Sequence, residues 1–422
     1  MRVQSTHGNL VRAAHDSLSS RMRFVFYSHD GVGLGHVRRN LAIARALGAT
    51  APEASIVLVT SVDDPESLGV PANVDVVKLP GLRKLGNERY ASRRLRISPR
   101  EIREVRAALL EAAIGSFGPD VVLVDKHPLG AGGELRPALD ALRRAGGRAV
   151  LGLRDVLDDR ATVVREWTRH GLASRISEYY DRVLVYGAQA VFDSVSEYEL
   201  PSRVRELTRY CGYVVNPRRD DDGHDAPTWP SPRNGKPFVL ATAGGGEDGF
   251  PLLASFIEAA RDAPFDGIVV AGPQSIPNER RALRRMAAEA GVAFTTFVPD
   301  LVRALEAVDA LVCMGGYNTL AEAAASGVPT VCVPRTRPRT EQLIRARAFA
   351  RVGLLQVIEP ERLAAPVLRQ EVSRSLEAKR DSLVRRARAT LDLDGAAHAA
   401  SALLELSGGP TRIAERRLGV AP

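Results

Sequence analysis

Short, continuously apolar runs alternate with helical patterns along this chain, and they do so in two successive series. In the first half the runs are Phe24–Tyr27, Ser55–Val59, Val74–Val77, Val121–Val124, Ala149–Leu151 and Val183–Val185. The second half repeats the theme at Phe238–Ala241, Gly267–Val270, Ala293–Phe297, Ala310–Cys313, Thr330–Val333 and Leu355–Val357. Strands apolar on both faces are those of parallel sheets covered by helices on each side. The expected fold class is therefore α/β, with two doubly wound parallel-sheet domains. Between them, 216–235 is charged and rich in Pro, Asp and Gly, as a linker is. The expected division is an extension over 1–22, a first domain over 23–215, a linker over 216–235 and a second domain over 236–395. A C-terminal helix or tail, 396–422, is a candidate to pack back on the first domain.

Three glycine turns follow strands, and ligands in open α/β sheets collect at such carboxyl ends. The most specific runs from Cys313 to Pro329. Gly315 and Gly316 allow close backbone approach, and a helix expected from Thr319 presents free N–H groups and positive partial charge to an anion. Asn318 and Thr319 sit in that turn. Glu322 lies near the helix mouth, and Glu341 and Gln342 follow the next buried run; carboxylates and an amide suit sugar hydroxyls. Thr319-x-x-Glu322 reads equally as a capping box that satisfies its own helix end.

The second turn, His29 to His36, contains Gly31, Gly33 and Gly35. Behind it Val37, Leu41, Ala44 and Leu47 form one helical stripe against a sheet, with Arg38, Arg39 and Arg45 on other faces. His36 stands at the helix start. An imidazole with an ordinary pKa of about 6.5 accepts a proton at neutral pH, which makes it the general-base candidate. The usual Gly-x-Gly-x-x-Gly register is missing and no acidic residue clearly ends the second strand, which weakens a nicotinamide reading. The third turn has Thr242, then Gly244, Gly245 and Gly246, with Pro251 at a first helical position. Successive glycines suit a ligand or a neighbouring backbone lying against them; a flexible rim loop is the alternative.

This order of residues resembles the GT-B glycosyltransferases, most closely the bacterial lipid I N-acetylglucosaminyltransferase family, which is glycosyltransferase family 28-like. The resemblance implies two Rossmann-like domains facing each other across a cleft. It implies that Gly315 and Gly316 hold the donor diphosphate, Glu322 the ribose, and Glu341 with Gln342 the donor sugar. Gly33, Gly35 and His36 become the first-domain loop toward the donor phosphates and acceptor, with His36 as base, and Thr242, Gly244 and Gly245 become donor contacts. Related plant and antibiotic transferases orient that histidine with an aspartate, a role that falls here on Asp125. One position departs from the pattern: the lipid I enzyme has Gln where this chain has Glu341, so the donor sugar is open. The implied reaction is inverting transfer from a nucleoside-diphosphate sugar with no cofactor or metal, and Arg335, Arg337 or Arg339 as supplementary charge. Two rivals stand beside it. A nucleotide-sugar epimerase would need further carboxylates, for which Glu247 and Asp248 are candidates, and a sugar-nucleotide sensor would leave His36 idle.

On the acceptor side, Lys126 and His127 follow a strand directly, and Arg154 opens a charge-rich loop that is placed to shape acceptor choice. Leu79–Arg96 reads as a mobile basic loop over the acceptor, with Tyr90 as its aromatic. The chain carries 58 Lys+Arg against 50 Asp+Glu, a net charge of +8. In the basic stretch Tyr90 stands alone, so platforms for stacking nucleic-acid bases are missing, and no broad apolar helix face suits a membrane surface. No run approaches the roughly 20 apolar residues of a membrane-spanning helix, and the first 22 residues lack a signal-peptide centre. Cys211, Cys313 and Cys332 are scattered, and no zinc-ligand spacing occurs. The expected setting is the cytoplasm, with a small soluble acceptor of specialised metabolism such as antibiotic biosynthesis. Membrane association is not expected, and a homodimer is open.

Overall fold

The computed structural model describes residues 22–29, 34–86, 89–216 and 235–408. The first sheet contains β1 (Arg23–Ser28), β2 (Ser55–Thr60) and β3 (Val74–Lys78). A separate hairpin, β4 (Leu82–Gly86) and β5 (Arg89–Ser92), precedes β6 (Val121–Asp125), β7 (Arg148–Arg154), β8 (Arg182–Tyr186) and β9 (Thr208–Tyr210). The second sheet contains β10 (Phe238–Thr242), β11 (Asp266–Val270), β12 (Ala293–Thr295), β13 (Ala310–Cys313), β14 (Thr330–Cys332) and β15 (Gln356–Val357). Strand orders are β3-β2-β1-β6-β7-β8-β9 and β12-β11-β10-β13-β14-β15. All ladders in both are parallel. In each sheet the order reverses beside the first strand of the series, β1 or β10, which is where an open α/β sheet forms its crevice.

Every expected apolar run is a strand, although β12, β14 and β15 are shorter than their runs. The short edge strand β9 was not anticipated. The central strands are buried on both faces; Phe24, Val25, Phe26 and Tyr27 are all fully covered. The stripe Val37, Leu41, Ala44, Leu47 on the helix Gly35–Thr50 is buried as expected, each side chain contributing roughly 1–3 kcal/mol. Against that helix packs another, Gly395–Leu406, so the last described helix returns to the first domain. Val214 and Asp394 form a bridge beside it. The expected linker lies outside the described residues between 217 and 234, as do the extension 1–21, the tail beyond 408, and Gly31 and Gly33.

The basic stretch is not the mobile loop its charge suggests, since β4 and β5 pair antiparallel within it. Arg106 explains why. It is fully buried, its guanidinium held by Glu134 (Nε–Oε2 2.6 Å, Nη2–Oε1 2.7 Å) and by the Pro80 carbonyl at 2.6 Å. Tyr27 donates to the same carboxylate at 2.5 Å. One end of the hairpin is thereby tied to the helix Pro99–Phe117, whose start is closed by a Ser98/Glu101 capping box.

Candidate active site in the interdomain cleft

Two joined cavities lie between the sheets. The larger, about 520 Å³, is lined from the first domain by His29, His36, Tyr90, Lys126, His127 and Arg154, and from the second by residues that include Gly245, Gln274, Arg335, Glu341 and Gln342. The smaller, about 260 Å³, is lined by Gly35, His36, Arg38, Arg39 and Arg154 opposite Thr242, Gly244, Gly245 and the turn Gly316–Thr319. Val270, Phe297, Val298 and Leu301 make its other wall apolar.

His36 opens the helix Gly35–Thr50, and Asp125 ends β6 beside β1, so adjacent parallel strands bring them together. Nδ1 of His36 lies 3.1 Å from Oδ1 of Asp125. Burial pushes the Asp125 carboxyl up, but Arg39 and His36 outweigh it and hold the group well below its ordinary value. An ionised carboxylate only accepts, so Nδ1 carries the hydrogen and Nε2 is left with its lone pair. Arg39 Nη2 is also 3.0 Å from Nδ1, but it donates to both oxygens of Asp125 (2.9 and 2.7 Å). Burial lowers the His36 pKa, opposed by Asp125, which keeps the ring neutral and basic at pH 7. His29 and His127 are held neutral too, by desolvation first and then by the unfavourable approach of a further proton to the neighbouring histidines and Lys126. Their rings meet edge to face at 4.4 Å, and His29 lies 5.8 Å from His36. Among the described residues no group of three or more His, Cys, Asp and Glu is arranged to hold a metal.

The smaller cavity has two helix N-termini on its walls. The helix Tyr317–Ser326 begins two residues earlier than the sequence suggests, at an extended Gly316 with no side chain capping it. The Thr319/Glu322 capping box does not form, and Thr319 instead lines the cavity. The helix of His36 is likewise uncapped by a side chain. N–H groups at both mouths are thus left for a ligand, in a field that favours anions. Asn318 Nδ2 crosses the cleft to the Gly35 carbonyl at 3.3 Å. Thr242 Oγ1 accepts from the Gly244 amide at 3.2 Å, shaping the third turn.

Two expected donor contacts stand behind the cavity wall. Gly315, at φ +84°, packs where a Cβ would sit 3.1 Å from Cys332 Sγ and 3.2 Å from the Gln342 carbonyl, and its own carbonyl accepts from Arg345. Its positive φ, tightened by that packing, favours glycine. Glu322 is fully buried and pairs with Arg38 Nη2 at 2.9 Å and Asn216 Nδ2 at 2.7 Å, while Oε2 has no partner. Burial raises its pKa, against the pull of Arg38. Of the glycine run, Gly246 is spent on close approach to the Ala271 and Gly272 backbone, while Gly244 faces open space.

Glu341 and Gln342 both border the larger cavity with His36. Gln342 Oε1 accepts from the Arg335 amide at 3.2 Å. Glu341 is 3.1 Å from Arg154 Nη2, and although burial raises its pKa, Arg154, Lys126, Arg345 and Arg335 bring it down to about 2. Arg335 reaches Asp248 at 2.7 Å, and Arg339 pairs with Asp158 and Glu166 across the cleft. Tyr90 and His127 border the larger cavity, and Arg154 borders both.

Sequence reasoning missed the groups that clamp the domains. Arg345, 1% exposed, is chelated by Asp155 (Nε–Oδ1 2.9 Å, Nη2–Oδ1 2.8 Å). Arg39, assigned to a face away from the sheet, is equally buried and lies over the rings of Tyr186 and Tyr317 at 4.9 and 5.1 Å. Neither has a sequence signal, because the partners are 190 and 86 residues away. Leu85, Leu95, Val105 and Leu109, on and after the hairpin, are 40–52% exposed, so apolar surface exists where little was expected. Among the described residues no helix is long and apolar enough to cross a membrane.

Residues 257–403 match the glycosyltransferase family 28 C-terminal domain. Over 137 residues the chain is 29% identical to the UDP-N-acetylglucosamine--N-acetylmuramyl-(pentapeptide) pyrophosphoryl-undecaprenol N-acetylglucosamine transferase of Corynebacterium efficiens, covering 31% of this chain and 36% of that relative. The match thus spans little more than a third of the curated relative. Across nearly the whole length the fold is similar to the glycotransferase of kitacinnamycin (TM-score 0.62, 16% identity, 92% of this chain, 98% of the other). It is similar also to Acinetobacter baumannii MurG (TM-score 0.57, 17% identity, 91% and 99%). The architecture is GT-B, with a family 28-like second domain.

Proposed function

We propose that the protein is an inverting glycosyltransferase that moves a sugar from a nucleoside-diphosphate donor to an acceptor, with His36 as base. The observation that carries this reading is neutral His36, held by ionised Asp125, lining the same cavity as two uncapped helix N-termini. The diphosphate would lie against the Gly316–Thr319 turn and the Thr242–Gly245 loop, and the base and ribose against Phe297, Val298 and Leu301. The sugar would reach Glu341 and Gln342, beside His36. An acceptor heteroatom attacks the anomeric carbon, its proton passes to Nε2 of His36, and the bond to the diphosphate oxygen breaks. Preorganised N–H groups stabilise the departing charge, at about 3 kcal/mol for each donor in comparable sites. Bringing two substrates together in the closed cleft supplies more. A nucleotide-sugar donor would suit a cytoplasmic reaction.

The larger cavity's charged lining suits a polar acceptor group. The exposed Leu85, Leu95, Val105 and Leu109 favour a second reading, in which that group is carried on a lipid, as in the acceptor named for the Corynebacterium relative. Thermal-shift screening against UDP, GDP and dTDP and their sugars identifies the donor; saturation a hundredfold over Kd stabilises by about 2.7 kcal/mol. With that donor, His36→Ala keeps binding and loses turnover about 100-fold or more. Unchanged turnover refutes the base assignment. Donor incubated without acceptor separates the rivals: isomerised sugar means an epimerase, and binding with no chemistry means a sensor. Soluble and lipid-linked acceptors compared side by side decide between the two acceptor readings.

A further inference from the structure

Three arginines converge where the domains meet, and they are unequally satisfied. Arg345 has Asp155 on two nitrogens and the Gly315 and Val156 carbonyls besides. Arg39 has Asp125 on two nitrogens and the Tyr186 and Tyr317 rings within 5.1 Å. Arg154, the last residue of β7, has a single ion pair, Nη2 to Glu341 Oε2 at 3.1 Å, and its buried Nε has no partner. A guanidinium offers five donors, and one left this incomplete in a crowded positive environment has capacity for an anion. Its location is equally specific. Arg154 borders both cavities, so it stands between the helix N-termini on one side and Glu341 and His36 on the other.

We propose that Arg154 binds the donor diphosphate, and that its pairing with Glu341 is a resting contact which the donor splits. Sugar hydroxyls take the carboxylate, and diphosphate oxygens take the guanidinium. The ion pair then holds the two halves of the donor site in each other's grip until a molecule bearing both a sugar and a diphosphate arrives. This rests on the donor reading above. It transfers Arg154 from the acceptor side to the leaving group, and it makes the two residues a coupled filter against diphosphate alone, which cannot satisfy the carboxylate it releases.

The test is calorimetric titration with the nucleoside diphosphate that best stabilises the wild type, its monophosphate, and the sugar-bearing donor. Arg154→Gln is expected to weaken the diphosphate about 10- to 100-fold, with the monophosphate changed little. Glu341→Gln is expected to bind the bare diphosphate about threefold tighter or more, because the guanidinium is released in advance, while binding the sugar-bearing donor more weakly. Arg154→Lys restores charge without the fork and falls between. A merely structural pair would weaken all three ligands alike in both variants, and that result overturns the inference. If Arg154→Gln fails to fold, the opposite signs in Glu341→Gln decide it. Wild type that binds diphosphate, with Arg154→Gln binding it equally, sinks this inference alone; wild type that binds no diphosphate sinks the donor reading and this with it.

Discussion

Asp125→Asn separates the two duties of the Asp125 carboxylate. It holds the Nδ1 hydrogen of His36 at 3.1 Å, and it neutralises Arg39 through contacts of 3.0, 2.9 and 2.7 Å. Both Asp125 and Arg39 are buried, at 0% and 1% exposure. Removing one charge strands the other, which costs about 3–5 kcal/mol for pairs of this kind. The flanking Tyr186 and Tyr317 rings return about 1–2 kcal/mol to a desolvated cation. The expected net loss is therefore about 1–4 kcal/mol, read from urea unfolding followed by circular dichroism. Asp125→Asn with Arg39→Met removes both charges and should recover most of that loss. Turnover behaves differently. His36 stays unoriented in both variants, so kcat should remain about 100- to 10,000-fold down even where stability has returned. Asp125→Asn within 1 kcal/mol of wild type refutes the coupling, and a double variant that regains turnover refutes the role of Asp125 in orienting the base.

Acid should destabilise the protein through its cleft histidines. The pKa values of His29, His36 and His127 are all lowered on folding, so between those values and about 6.5 the unfolded chain binds more protons than the folded one. Their stability is present above about pH 6.5 and is lost as pH falls, with a limiting slope near 1.4 kcal/mol per group per pH unit. Urea midpoints at pH 7.5 and 5.5 check the sign; equal or higher stability at pH 5.5 contradicts it. Gly246→Ala forces a Cβ to 2.2 Å from the Ala271 carbonyl oxygen at φ +94° and should lower stability by about 1–3 kcal/mol in thermal unfolding. Gly244→Ala meets nothing within 4 Å, so it should be milder; equal losses would deny that backbone packing sets the difference.

The strands, their parallel pairing and the glycine turns at Gly244–Gly246 and Gly315–Gly316 were legible in the sequence because their causes are local. Uninterrupted apolar runs must be covered on two faces, and Gly next to a strand end admits backbone that other residues resist. His36, Glu341 and Gln342 could be nominated in the same way, each from the turn or strand end that carries it, whereas Asp125 was nominated through the family resemblance. What lay beyond the sequence was which charged side chains are solvated and which are structural. The run from Arg83 to Arg106 reads as one basic stretch, yet Arg106 is locked on Glu134. Arg38 and Arg39 are neighbours, yet one reaches Glu322 and the other Asp125. Glu322 and Gly315 carry the right motif and stand behind the wall, while Arg154, nominated for the acceptor side alone, and Gln274, not nominated, line both cavities. A long flexible side chain takes its meaning from whatever opposite charge the fold brings within about 3 Å, and across the cleft of two domains that partner is set by tertiary packing alone.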